Sequence, residues 1–193
     1  MRVTLAGQRR DMKARQLFTA VLPLILLGAL TGCSESTKAP DVADNIRKSL
    51  DQSGYKDVSV SQDRDKGVVT LTGTVATESD KAQAEAIAKS GAGAQVVSDQ
   101  IAVRPPGNES EAKAVDTDMD KAIDKQVDAV LVKNKLKHDI SYDVKNGVVT
   151  LKGDVVSQGR RRQVEKLIAA VPNVKQVVNE LEVKNQKASS TKS

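Results

Sequence analysis

Gly147-Val-Val-Thr-Leu-Lys-Gly-Asp-Val155 has a near-copy in the same chain. Eighty residues earlier runs Gly67-Val-Val-Thr-Leu-Thr-Gly-Thr-Val75, identical at seven of nine positions, and the match continues without a gap to Val103 and Val183. A repeat at fixed period marks one structural unit used more than once. In the copies Val69, Leu71, Val75 and Val149, Leu151, Val155 share one face of a strand, while Thr70, Thr72 and Thr74 share the other. This period-2 alternation follows a polar turn at 63–67 and an Asn146-Gly147 turn in the second copy. It predicts a β-hairpin with one face in water.

A helical pattern precedes each hairpin. Asp41 reads as an N-cap ahead of Val42, Ile46 and Leu50, with Gly54 as the stop, which predicts a helix over 42–52. In the second copy Ile123, Val127, Val130 and Leu131 form the stripe of a helix over 119–134, followed by alternating Ile140, Tyr142 and Val144. Beyond the hairpins, Thr77 and Ser157 read as caps of two further helices. The first runs over 78–90 on Ala84, Ile87 and Ala88 and is broken by Gly91-Ala-Gly93. The second uses Val164, Leu167, Ile168 and Val171 and ends at Pro172-Asn173. Val97, Ile101, Val103 and Val177, Leu181, Val183 form the closing strands, with Asp99 and Asn179 on their inner face, where the pattern offers them no partner.

Each copy therefore reads α-β-β-α-β. The expected fold class is α+β: two tandem αββαβ domains, each a three-stranded mixed sheet packed on two helices. The expected boundaries are a first domain at 41–104, a Pro/Gly-containing polar linker at 105–117, a second domain at 118–184 and a disordered polar tail at 185–193. With aromatics at 2% and no Trp, the cores rest on Val, Ile, Leu and Ala. A single cysteine, Cys33, excludes an intramolecular disulfide.

The formal charge of +5 is mostly a property of residues 1–32, which hold five Lys+Arg against one Asp. The remainder has 25 Lys+Arg against 24 Asp+Glu, so no nucleic-acid footprint is expected. Residues 1–16 are basic and 17–30 (LFTAVLPLILLGAL) apolar. As a helix that run reaches only about 21 Å, short of a hydrocarbon core of about 30 Å. Basic start, short apolar run and small residues before a cut site read as a signal peptide over 1–32, whose translation starts at Met1 or Met12. Leu30-Thr31-Gly32-Cys33 is similar to a bacterial lipobox. That similarity implies cleavage between Gly32 and Cys33, lipid on the Cys33 thiol, a tether over 33–40, and acyl chains that hold the mature protein at a membrane. Ser34, where inner-membrane retention would call for Asp, implies the outer membrane, facing the periplasm.

Asn146-Gly-Val-Val-Thr-Leu-Lys-Gly153, then Val171-Pro-Asn-Val174 and Val177-Val-Asn-Glu-Leu-Glu-Val183, resemble the BON domain of bacterial periplasmic proteins, and the first copy does so as well. The resemblance, with the lipobox, implies a tandem BON-domain lipoprotein without catalysis or cofactor that binds anionic phospholipid and supports envelope integrity or osmotic stress tolerance. In lipid-anchored relatives the first helix of the second domain engages lipid with an aromatic anchor; here 119–134 contains no aromatic residue. A second reading is a periplasmic chaperone-like or adaptor protein that binds other envelope proteins.

The residues give matching but faint clues. From Lys121 onward the chain holds 15 Lys+Arg against 8 Asp+Glu. Val132 and Leu136 fall off the buried stripe, near Lys121 and Lys125, and suit an interfacial surface. Arg160, Arg161 and Arg162 open a helix, where the macrodipole disfavours cations by about 0.3–1 kcal/mol each, so a contact with lipid phosphate is expected of them. Lys121, Lys125, Val132 and the three arginines are the candidate membrane contacts. The inventory for catalysis is poor: one histidine, His138, in a Lys-rich turn, and no metal-spaced cluster.

Overall fold

The structure, a computed structural model, describes residues 38–184. The signal peptide, Gly32 and Cys33, and the polar tail lie outside the described residues. The first module runs α1 (Ala43–Gln52), β1 (Val58–Asp63), β2 (Val68–Val75), α2 (Glu78–Ala92) and β3 (Val96–Val103). The second runs α3 (Glu109–Lys133), β4 (Ile140–Lys145), β5 (Val148–Val155), α4 (Gln158–Ala169), β6 (Gln176–Asn179) and β7 (Glu182–Val183).

The hairpins form as the alternation requires. β1 pairs antiparallel with β2, with Val60 opposite Leu71, and β4 with β5, with Tyr142 opposite Leu151. The crossover helix returns the chain so that β3 and β6 lie parallel to the central strands, giving mixed sheets in the order β1-β2-β3 and β4-β5-β6. Leu71 and Leu151 occupy the centre of each core, fully buried against Ile46 and Leu50 in the first and against Ile123, Val127 and Leu131 in the second. Each such side chain contributes about 1.5–3 kcal/mol by leaving water. The Asn146-Gly147 turn has both residues at positive φ, +50° and +82°, as a two-residue hairpin demands.

Several helix ends differ from the sequence pattern. Thr77 and Ser157 cap α2 and α4 as expected, their hydroxyls accepting from the Asp80 and Arg160 amides at 3.1 Å. Asp41 does not cap α1; Val42 stands at that position with no side-chain cap. Gly91 lies inside α2, not in a break, because a Cβ there would meet Ile46 Cγ1 at 2.8 Å: the glycine lets α2 press on α1. α3 begins at Glu109, about ten residues before the expected 119, so most of the 105–117 linker is helix. Only the Pro105-Pro106-Gly107 corner interrupts the backbone, and Arg104 then pairs with Asp116 to fasten the first turns.

The polar residues on the inner strand face have partners that come from the neighbouring helix. Asp99 Oδ1 accepts from the Ile101 amide at 3.1 Å, and its other oxygen faces Lys81 Nζ at 3.7 Å. Lys81 also donates to the Ile101 carbonyl at 2.7 Å. The second module repeats the device: Asn179 Oδ1 accepts from the Leu181 amide at 3.2 Å, and Arg161 donates to the Asn179 carbonyl at 2.7 Å. Here the strand breaks between β6 and β7, and the Glu180 amide bonds the Leu151 carbonyl at 2.9 Å.

Asp99 is 8% exposed, and burial raises its carboxyl above the usual range despite the opposing Ile101 amide and Lys81. A raised folded-state value means that the folded chain holds the proton more tightly than the unfolded chain. Stability is then lost as pH rises from the unfolded carboxylate range through the folded value. Asp99→Asn, which copies Asn179, should flatten this slope. Its melting temperature should exceed the parent's at neutral pH and converge with it in acid; a parent whose stability rises through that window would refute the assignment.

The threonine faces are only partly in water, which corrects the expected wet face. Val68, Val148 and Val178 form a third buried cluster from the open faces of both sheets, and Ser98 and Thr150 are buried on those faces. The Gln176 amide group completes the joint. Its Nε2 donates to the Val97 carbonyl at 2.7 Å and its Oε1 accepts from the Asp99 amide at 3.1 Å, so a side chain pairs with β3 as a strand would. Asn146 donates to the Gln100 carbonyl at 2.8 Å, and Lys66 pairs with Glu182.

Candidate functional site

α3 forms because Ile123, Val127 and Leu131 recur every four residues, and all three are fully buried. Its outer ridge carries Lys121, Lys125, Asp128 and Val132, a spacing that places them in line along the helix. Lys121 meets Asp118 at 3.1 Å, both well exposed, an arrangement worth little in water. Lys125 has no ion-pair partner among the described residues. Asp128 is held by Lys137. Val132 is 56% exposed, as its place on the wheel requires. Leu136 is not: it is 4% exposed and joins the core, because the chain leaves the helix at Asn134 and turns it inward.

The three arginines at the start of α4 do not act together. Arg160 bonds Gln163 Oε1 at 2.9 Å and reaches the Asn134 carbonyl, at the C-terminus of α3, at 3.4 Å. Arg161 turns inward to Asn179, which explains a cation in an unfavourable helical turn and removes it from the candidate membrane contacts. Only Arg162 is exposed without a bonding partner among the described residues. The surface left for contact is thus Lys121, Lys125, Val132 and Arg162, edged by Arg160 and interleaved with carboxylates that are largely paired. His138 is exposed in the turn before β4.

Sequence reasoning did not find the groove of about 410 Å³ between α3 and β4, lined by Thr117, Asp120, Lys121, Asp124, Lys125, Tyr142, Asp143 and Val144. Asp120 closes one end by accepting from the Asn146 and Gly147 amides, each at 2.8 Å. The Tyr142 hydroxyl donates to the Asp124 carbonyl at 3.1 Å, with Lys137 Nζ 5.5 Å from the ring centre. Burial, with the Asp124 contact adding to it, pushes the phenol up to about 12, so Tyr142 remains a neutral donor at any physiological pH. The one legible signal was that this tyrosine is one of two in the chain and sits on a half-buried strand. No three His, Cys, Asp or Glu side chains converge as metal ligands among the described residues, and no described helix is long and apolar enough to cross a membrane.

The chain is 31% identical over 137 residues to osmotically-inducible protein Y of Escherichia coli K12, covering 70% of this chain and 67% of that one. Among solved structures, the C-terminal domain of CdsD, a structural protein of the type III secretion system of Chlamydia trachomatis, is similar at 12% identity and a TM-score of 0.31. That alignment covers 75% of this chain and 66% of the other. A second CdsD structure gives 13% identity and the same score over 74% and 61%. This chain thus spans somewhat less than two thirds of either CdsD chain. The BON domain model matches residues 38–105 and again 119–185, the two αββαβ units described above, and the chain belongs to the BON domain family.

Proposed function

We propose that the protein is a non-enzymatic envelope lipoprotein of the outer membrane, anchored through Cys33 and facing the periplasm. Its second BON domain contacts anionic phospholipid and helps maintain the envelope under osmotic stress. The carrying observation is the α3 ridge, where exposed Val132 lies in line with Lys121 and Lys125 and near the start of α4, which carries Arg162. An apolar side chain among cations suits the headgroup boundary, where each Lys or Arg near an anionic surface contributes about 1 kcal/mol. The 31% identity to an osmotically inducible protein supports the stress context.

Liposome co-sedimentation of the unlipidated 34–193 chain tests the lipid contact. Binding should rise with the phosphatidylglycerol fraction, weaken with salt, and fall by about thirtyfold or more in Lys125→Glu/Arg162→Glu, two charge reversals near an anionic surface. Absence of binding at low salt refutes it and leaves the adaptor reading. Labelling with radioactive palmitate, lost in Cys33→Ala, tests the anchor separately.

A further inference from the structure

The two modules treat their outer hairpin strands differently. In β4 the two-residue turn makes Lys145 and Val148 the hydrogen-bonded pair next to the loop, so Asp143 and Ser141 also bond towards β5. The Asp154 amide bonding the Asp139 carbonyl at 3.2 Å fits the same alternation. The backbone groups of Tyr142 and Val144 therefore point away from the sheet, into the groove beside α3. Among the described residues nothing pairs with them.

β1 is closed at the matching place. The Val60 carbonyl, which corresponds to that of Tyr142, accepts from Arg47 Nη2 at 2.8 Å. Next to it the extended segment 38–42 docks on the hairpin: the Ala39 amide bonds the Arg64 carbonyl at 2.8 Å, and Gln62 bonds the Pro40 carbonyl at 2.7 Å and the Val42 amide at 3.1 Å. In the second module the helical position of Arg47 is held by Asp128, which Lys137 occupies, and the stretch equivalent to 38–42 is part of α3. Natural sheets cover or charge their free edges. This chain covers the edge in one copy; in the other it leaves a groove, with only the charges of Asp143 and Lys145 beside it.

We infer that the β4 edge is a docking site for an extended segment of another polypeptide, which adds to the sheet as a strand. The backbone of Tyr142 and Val144 supplies the pairing, as in other strand-addition complexes. The occupant alternates, with β-branched side chains on the side of Tyr142 and Val144 and polar ones beside Ser141, Asp143 and Lys145. An ammonium group on it meets Asp124 and Asp143, carboxylates of the groove lining without an ion-pair partner among the described residues, which outnumber the one unpaired lysine there, Lys125. The inference does not depend on lipid binding, since its readout uses no membrane.

The test adds a short synthetic peptide of alternating valine and threonine with one lysine to the 34–193 chain and follows amide hydrogen exchange. The Tyr142 and Val144 amides should exchange freely alone and become protected with peptide. The same peptide N-methylated on alternate residues should not protect them. Val144→Pro removes an edge amide that the β4–β5 ladder does not use, a position where proline is tolerated, and should weaken binding by about tenfold or more. Asp124→Lys, which leaves the backbone untouched, should weaken it less. Amides already protected in the free chain, equal protection by the N-methylated peptide, or no protection by either peptide would overturn the inference.

Discussion

Gly153→Ala is expected to lose roughly 3–5 kcal/mol of stability, enough to unfold a module of this size near body temperature. Gly153 has φ +121°, a region closed to L side chains, and a Cβ there would sit 2.2 Å from the Asp139 carbonyl oxygen. The connector from α3 passes directly over the strand at this point, so relief requires moving backbone, not a flexible side-chain tip. Gly73 repeats the arrangement at φ +118° and 2.0 Å from the Asp57 oxygen. Gly67→Ala is the control. At φ +66° with nothing within 4 Å of its Cβ, it should cost about 1 kcal/mol for the left-handed backbone alone. Urea unfolding of Gly153→Ala, Gly73→Ala and Gly67→Ala checks this ordering, and a Gly153→Ala protein as stable as Gly67→Ala would contradict it.

Gln176→Leu should undo the joint between the modules at a cost of about 2–4 kcal/mol. The change keeps approximate shape but leaves the Val97 carbonyl and the Asp99 amide without partners on a covered edge, each worth about 1–3 kcal/mol. Val68, Val148 and Val178 alone form a small apolar contact. The expected sign is a split of one thermal transition into two, with amide shifts concentrated in β3. A single unchanged transition would mean that the valine cluster and the Lys66–Glu182 pair suffice.

The repeat made the fold legible because its spacing records hydrogen-bonding and burial within one module. Leu71 and Leu151 announce a core face by alternation, and Asn146-Gly147 announces a turn by its backbone demands. Contacts between elements far apart in the chain left no such trace. Asp99 and Asn179 were unplaceable because their partners, Lys81 and Arg161, reside on helices 18 residues away in sequence. The same gap made Arg161 read as a surface cation. Alternation distinguished the two faces of the threonine-bearing strand but could not say that a second sheet covers part of the outer one. Leu136 was misread because a helical wheel has no meaning past Asn134, where the helix stops. The groove beside β4 became visible only from the pairing of Tyr142 and the course of α3.

The valine cluster joins corresponding positions of the two copies. Val68 and Val148 are the same residue of the repeat, eighty apart, and Val178 corresponds to Ser98, which is also buried. A contact made from matching surfaces is nearly self-complementary, like the interface of a two-fold homodimer. Such an arrangement closes on itself: each copy spends the face that a further copy would need. The chain is thus a covalently linked pair joined in part through equivalent positions, and a further repeat would find that face already taken.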